Sequence, residues 1–323
     1  MKTQLSVVVP SYRRRDELDR CLEDLAAQAD PPSLEVVLVL QAFPDGAAAS
    51  VREIFGDRLN LRIAEFNDGL GTGGARNEGL RMSTGEIVAF LDDDVRLPAG
   101  WSRALVSCYN DPKVGGAGGF VDHPGHYGPM RNTAYRILGI TSNRFKIDWG
   151  GFNVGPAFNP PGVHNAEWLG GGNMSFRRDV ILRVGGFDEA LGAFWHEDAD
   201  VTHRVMKSGW KVICSDQLAV DHFPSAVNRP PLRSQVLERE RTRVLFVWKA
   251  IGDKSLWQAR YASRLALHAV AMSVVGLAKA DPMIPVNVIK GGWRGYRELA
   301  ETRRDSARRG GFANPAADVS ARS

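Results

Sequence analysis

Five apolar residues, Ile87-Val88-Ala89-Phe90-Leu91, run directly into three carboxylates, Asp92-Asp93-Asp94. Thr84-Gly85 before the run and Pro98 after it are turn signals, so the run reads as a buried strand. Three adjacent acids at a strand end repel one another. A divalent cation reverses that cost, because Mg²⁺ and Mn²⁺ prefer oxygen ligands and commonly hold substrate phosphates as well. A solvated acidic turn is the plain alternative, and the rest of the chain decides between the two.

The pattern before this strand fixes the fold class. Leu5 to Pro10, Leu34 to Leu40 and Leu61 to Ala64 are further apolar runs rich in β-branched residues. Between them lie segments with helical spacing: Asp16 to Ala29 (Leu18, Cys21, Leu22, Leu25), Val51 to Phe55 and Gly74 to Met82. Strands alternating with helices predict an α/β protein with a Rossmann-like, mostly parallel central sheet flanked by helices. Ligands of such sheets bind beyond the carboxyl ends of the strands, where Asp92-Asp93-Asp94 falls.

The second half differs. Gly115 to Gly172 is rich in Gly, Pro, Asn and aromatic residues and reads as loops and short strands over the sheet edge, with a mobile stretch near His123 to Tyr135. Helices are predicted over Asp179 to Val184, Ala199 to Ser208, Arg239 to Ile251 and Trp257 to Lys279, with a strand at Trp210 to Ile213. The expected division is an α/β domain at 1–230, a helical extension at 231–300 and a disordered basic tail at 301–323.

The formal net charge of the 323 residues is only +4, which gives no reason to expect nucleic acid. Cys21, Cys108 and Cys214 are odd in number and far apart, form no metal-spaced set, and suit a reducing compartment. Met1-Lys2-Thr3-Gln4 leads straight into a strand, so no secretory signal is read there. No uninterrupted apolar stretch reaches the roughly 18 residues of a membrane-spanning helix. The expected location is the cytoplasm.

Four segments, in order, carry a resemblance to family 2 glycosyltransferases. They are Val7-Val8-Val9-Pro10-Ser11-Tyr12-Arg13-Arg14; Asn67-Asp68-Gly69 through Gly73-Gly74-Ala75-Arg76-Asn77-Glu78-Gly79; Asp92-Asp93-Asp94; and Gly170 to Arg178 with Gly185-Gly186-Phe187-Asp188-Glu189 and His196-Glu197-Asp198. The similarity runs from about residue 5 to about residue 225. It implies a GT-A fold and inverting transfer from a nucleotide-sugar donor (UDP-, dTDP- or GDP-linked) to a glycan or lipid-linked acceptor. The setting it implies is cell-envelope or exopolysaccharide assembly. Residues 1–110 would be the nucleotide-sugar half and 111–230 the acceptor half.

Carried over residue by residue, the resemblance gives Asp94 and Asp92 to a Mn²⁺ or Mg²⁺ ion, with Asp92 and Asp93 also facing ribose and donor sugar. Pro10, Ser11 and Tyr12 would line the nucleoside pocket, and Arg14 and Gln41 would belong to the same donor site. Arg76 and Asn77 open a helix after a glycine-rich turn, a geometry suited to anions; local capping is the alternative. Asp198 would be the general base and Glu197 would orient the acceptor, since direct displacement needs a carboxylate on the face opposite the leaving nucleotide. Both also fit plain helix capping. His222 matches a histidine that completes the metal shell in relatives, or is a structural hydrogen-bonder. Trp168, Gly171, Gly172, Asn173 and Trp195 would contact the acceptor, and Trp168 could equally be core.

One departure stands out: Leu40-Gln41 occupies the place of an Asp that reads the base in relatives. An amide donates as well as accepts, so the base preference is open. A nucleotidyltransferase would want a glycine-rich basic loop after the first strand, where Pro10-Ser11-Tyr12 stands instead. A non-catalytic carbohydrate-binding protein would be suggested by a missing Asp, and none is missing. Last, Leu265 to Ala278 is apolar over 14 residues and is followed by Trp293, Tyr296 and Arg294, Arg297, Arg303, Arg304, Arg308 and Arg309. This pattern predicts peripheral contact with the inner face of the plasma membrane, against burial on the catalytic domain or a partner subunit.

Overall fold

The computed structural model describes residues 3–29, 31–124, 144–156, 158–191, 195–225, 230–251 and 255–308. The stretch read as mobile lies outside them from 125 to 135, and the tail does so from 309.

The first half alternates as its apolar pattern requires: β1 (Leu5–Tyr12), α1 (Arg15–Ala26), β2 (Leu34–Gln41), α2 (Ala47–Phe55), β3 (Leu61–Phe66), α3 (Gly71–Met82) and β4 (Ile87–Leu91). There follow β5 (Val95–Arg96), α4 (Trp101–Ser107), β6 (Val114–Gly118), β7 (Val121–Asp122), β8 (Lys146–Ile147), β9 (Asn153–Val154), β10 (Val163–Asn165) and β11 (Asn173–Arg177). Then come α5 (Arg178–Arg183), α6 (Glu197–Lys207), β12 (Lys211–Ser215), β13 (Val220–His222), α7 (Leu232–Ile251), α8 (Ser255–Ala278) and α9 (Met283–Arg308). By contacts the chain forms two units. The first comprises the described residues of Met1–Lys146, Asn153–Glu189 and Glu197–Asn228; the second, those of Ile147–Phe152, Ala190–His196 and Arg229–Ser323.

The first unit is built on an eight-stranded sheet in the order β10-β12-β6-β11-β4-β1-β2-β3. Strands β3, β2, β1 and β4 are parallel. The sheet is mixed beyond them, because β11 runs antiparallel between β4 and β6, and β10 antiparallel to β12. Successive strand residues face opposite sides, so β1 sends Leu5, Val7 and Val9 into a core with α1, α2 and α4. Val8, Val88 and Phe90 face a second core with α3, α5 and α6. Helices therefore cover both faces, the arrangement in which parallel strands read as continuous apolar runs. A small sheet, β5-β13-β7, lies beyond the carboxyl end of β4.

Two segments depart from their sequence reading. The stretch from Gly115 was expected over the sheet edge, but Val114–Gly118 is a buried inner strand. Its glycines hid it by lacking apolar side chains, and they are needed there. A Cβ on Gly116 would lie 3.0 Å from the Phe176 ring, and one on Gly118 2.6 Å from the Asn173 carbonyl oxygen. Asn173–Arg177, read only as a motif, is the strand β11 beside it. Gly79 seats α3 on β1 in the same way, since an added Cβ would lie 2.2 Å from Cγ1 of Val8. Gly79→Ala is therefore expected to cost about 1–3 kcal/mol through overpacking, measured as a lower urea midpoint at unchanged slope.

In the second unit α7 begins at Leu232, seven residues before its sequence-predicted start at Arg239. Helix α9 was not predicted, and it continues to Arg308, into the segment assigned to the tail. Gly291 and Gly295 explain its close approach to α7. Cβ atoms there would lie 2.3 Å from the Leu237 carbonyl oxygen and 2.6 Å from that of Arg241. Within α8, the 21 residues Gln258–Ala278 (mean hydropathy 1.3) are long and apolar enough to cross a membrane, whereas the uninterrupted run alone is not.

Candidate active site

All but one of the sequence-predicted site residues belong to the first unit, and most gather where the chain leaves β1 and β4. The parallel pairing of Leu5–Val8 with Ile87–Phe90 sets the two strand exits side by side. Ser11 Oγ donates to Asp93 Oδ2 at 2.6 Å, and Arg14 lies 2.7 Å from Asp93 Oδ1 and 2.9 Å from Asp94 Oδ2. Arg13 (φ 55) and Ala42 (φ 52) hold left-handed backbone directly after β1 and β2, and Arg13 Nε donates to the Ala42 carbonyl. Non-glycine residues persist there only when the surroundings enforce it. Arg13 carried no site role in the sequence reading.

The three acids have different surroundings. Asp93 is fully buried, which pushes its pKa up to about 7 against the pull of Arg14 and Ser11. Both its oxygens are taken, by Ser11 and Arg14, so it ties β1 to β4. Burial also disfavours the ionised form of Asp94, but His222, Arg14 and the Ser225 N–H outweigh it and hold the pKa below the usual carboxylate range. Asp92 is partly exposed and accepts from Arg76 Nη2 at 3.1 Å.

His222 reaches this cluster because β13 pairs with β5, setting His222 opposite Val95, next in sequence to Asp94. Its Nε2 lies 2.9 Å from Asp94 Oδ1, and its Nδ1 lies 3.2 Å from Nδ1 of His123. Asp92, Asp94 and His222 thus present three ligand atoms within 4.8 Å of one another. Two carboxylate oxygens and an imidazole nitrogen suit Mn²⁺ or Mg²⁺, and the exposed side of Asp92 leaves room for substrate oxygens. His123, almost a hundred residues away in sequence, carried no signal of its own.

Arg76 joins the metal-type cluster to the acids at the start of α6. It is 2% exposed, and its guanidinium lies 2.7 Å from Glu197 Oε1 while also donating to the Gly171 carbonyl at 3.0 Å. Helix α3 starts at Gly71, so Arg76 and Asn77 lie in its second turn and do not open it as expected. Arg76 clamps carboxylates instead of cradling an anion on backbone N–H groups. Asn77 donates to the Phe187 carbonyl and accepts from its N–H, bracing a turn where Gly185 (φ 87) and Gly186 (φ 67) take left-handed backbone.

Glu197 is buried, and burial together with the neighbouring Asp198 charge pushes its pKa up to about 7 in spite of Arg76. Asp198 is held by the N–H of Gly171 on Oδ2 (2.9 Å) and by the N–H of Ala199 on Oδ1 (2.7 Å). Burial raises its pKa, with Arg76 and these two N–H groups opposing. The loop can close this tightly only with glycine. A Cβ on Gly171 would lie 2.7 Å from Arg76 Nη2, and one on Gly172 3.0 Å from Asp92 Oδ2.

The remaining residues divide. Gln41 is buried and accepts from the Leu70 N–H at 2.8 Å, which commits its amide oxygen. Tyr12 packs along Gly69, and Pro10 is partly exposed next to Ser11. Asn173 is buried, donates to the Leu218 carbonyl and accepts from Trp101 Nε1. Trp168 donates to the Val154 carbonyl and packs edge-on against Phe145. Trp195 belongs to the second unit and lines a cavity there.

Residues 6–159 match the family described as glycosyl transferase family 2. A glucosyl-dolichyl phosphate glucuronosyltransferase of Haloferax volcanii is 28% identical over 236 residues, covering 69% of this chain and 69% of that protein. A validoxylamine A glucosyltransferase of Streptomyces hygroscopicus subsp. limoneus is 27% identical over 246 residues, covering 64% of this chain and 48% of its own length. The fold is similar to that of a mannosyltransferase from Pyrobaculum calidifontis, solved with GDP-Man and Mn²⁺. That likeness has a TM-score of 0.60 at 22% identity and covers 92% of this chain and 88% of the other. The chain spans from about half to about two thirds of the length of these curated relatives. Over residues 6–159 it is similar to the family 2 glycosyltransferases, and it has the GT-A fold.

Proposed function

We propose that the protein moves a sugar from a nucleotide-sugar donor to a hydroxyl of a glycan or lipid-linked glycan, with inversion at the anomeric carbon. The observation that carries this reading is the bridge from Asp92 through Arg76 to Glu197 and Gly171, with Asp198 on the far side. It holds a cation-type cluster and a candidate base in one rigid frame. A Mn²⁺ or Mg²⁺ ion held by Asp92, Asp94 and His222 would supply positive charge to the departing nucleoside diphosphate. Asp198 takes the acceptor hydroxyl proton, with Gly171 N–H fixing the orientation of its carboxylate. Arg76 binds Asp92 and neutralises Glu197, and its charge also acts on Asp198. The donor nucleoside lies along Pro10, Ser11, Tyr12 and Gln41.

The relatives' names favour a hexosyl or related donor and a lipid-linked or small hydroxyl acceptor. A lipid-linked acceptor fits a role in cell-envelope or exopolysaccharide assembly at the inner face of the plasma membrane. A carbohydrate-binding protein without activity is disfavoured, because Asp92, Asp94 and Asp198 are all present.

The test is release of nucleoside diphosphate from a panel of UDP-, dTDP- and GDP-sugars, with Mn²⁺ or with EDTA, and product configuration by proton NMR. Metal-dependent release with an inverted anomer is expected; release untouched by EDTA would overturn the metal assignment. Asp94→Ala is expected to abolish metal-dependent donor binding. His222→Ala is expected to weaken metal affinity by about 10–100-fold, read by Mn²⁺ titration.

A further inference from the structure

Helices α8 and α9 each turn an apolar stripe to solvent. On α8, Leu267, Val270, Val274 and Leu277 are 58%, 69%, 68% and 84% exposed, at intervals of three and four that place them on one face. On α9, Val286, Ile289, Trp293 and Tyr296 repeat that spacing, with Trp293 62% exposed. The opposite sides are occupied, since Leu265, Ala269, Met272 and Val275 pack around Val236, Ile284 and Val288. From Ala262 to Ala278 no exposed residue of α8 carries a charge. Exposed apolar surface arranged in this way marks an interaction site.

The flanks say what it meets. Lys279, Lys290 and Arg294 are exposed and have no carboxylate partner among the described residues. The acids nearby are engaged: Glu298 and Glu238 with Arg241, and Asp281 with the N–H of Met283. Arg294 also lines, with Arg233, Met283 and Trp195, a cavity of about 500 Å³ whose one carboxylate is Glu238. An apolar stripe fringed by unpaired cations complements an anionic bilayer surface.

We propose that the α8–α9 face is a docking surface for a bilayer containing anionic phospholipid, lying in the plane of the interface. The cavity beside it is placed to take a lipid phosphate between Arg233 and Arg294. Spanning is disfavoured because Arg264 Nε is bound to Asp148 Oδ2 at 2.8 Å and His268 lies 3.4 Å from Glu240. Pulling α8 into hydrocarbon would break both pairs and bury their charges. A second copy would set the same cationic fringe against itself. The inference deepens the membrane part of the proposed function, but its test reads lipid binding alone and does not depend on transfer activity.

The experiment floats the full-length protein with vesicles of phosphatidylcholine alone or mixed with phosphatidylglycerol. The wild type is expected to rise with the anionic vesicles, with a blue shift of tryptophan emission that Trp293→Phe diminishes. A Val274→Asp, Ile289→Asp double variant, both sites being exposed, is expected to bind at least tenfold more weakly at unchanged circular dichroism. Leu277→Gln supplies a milder change on the same face, expected to weaken binding to a smaller degree. Wild type left in the soluble fraction with both vesicle types would overturn the proposal, as would a double variant that floats like wild type. A wild-type dimer that the double variant turns into a monomer would assign the face to a second copy and overturn it too.

Discussion

Asp198→Asn is expected to lower kcat by about 10²–10⁴-fold while nucleotide affinity stays within twofold of wild type, roughly the scale of removing a general base. The amide preserves shape and its oxygen still accepts from the Gly171 N–H, which holds the loop, while the bond from the Ala199 N–H at the α6 start is given up. It cannot take a proton. Because Asp198 is raised above the ordinary carboxylate range by burial, its ionised, working form is lost as pH falls through that raised value. The acid limb of kcat/KM should therefore lie higher than for an exposed aspartate, and it should vanish from the residual activity of the variant. A pH–rate profile on both proteins checks the pair of expectations. Equal loss of nucleotide binding would instead make Asp198 a structural cap, the role its position at the head of α6 also allows.

Arg76→Met should be the most damaging single change to stability, by about 3–5 kcal/mol, because it leaves a buried carboxylate without its counter-charge. Three groups depend on this guanidinium: Glu197, Asp92 and the Gly171 carbonyl. The sign with pH follows from Glu197, whose folded-state value is raised to about 7 from 4.5. The folded chain then binds this proton more tightly than the unfolded chain does. Its contribution to stability is greatest below the unfolded value and declines as pH rises towards 7. Without Arg76 that decline should steepen. Adding Glu197→Gln removes the orphaned charge and is expected to recover part of the urea midpoint near pH 7. If the double variant is no more stable than Arg76→Met alone, the pair is not the source of the loss.

The parallel half of the sheet was legible because β1, β2 and β4 are buried on both faces and so read as nearly unbroken apolar runs, while the edge strand β3 shows only a short one. The frame Asp92, Asp94, His222, Glu197 and Asp198 was legible through family likeness, which orders motifs without showing which side chain touches which. Three things escaped. Glycine strands such as Val114–Gly118 hide because their burial leaves no apolar side chain to count. Helix α9 hides because its close approach to α7 uses Gly291 and Gly295, which are poor helix formers. Side-chain commitments also escaped: Asp93 to Ser11 and Arg14, Asn77 to Phe187, Asn173 to Leu218 and Trp101. Each is a long-range hydrogen bond, invisible to residue type and spacing.

Calorimetric titration of the wild type with UDP, GDP and dTDP, each with and without Mn²⁺, tests the donor site most directly. One nucleotide should bind, only when Mn²⁺ is present, and the same titration on Asp94→Ala should show no metal-dependent heat. Binding of none of the three to folded protein, or binding indifferent to Mn²⁺, would contradict a donor site built on Asp92, Asp94 and His222.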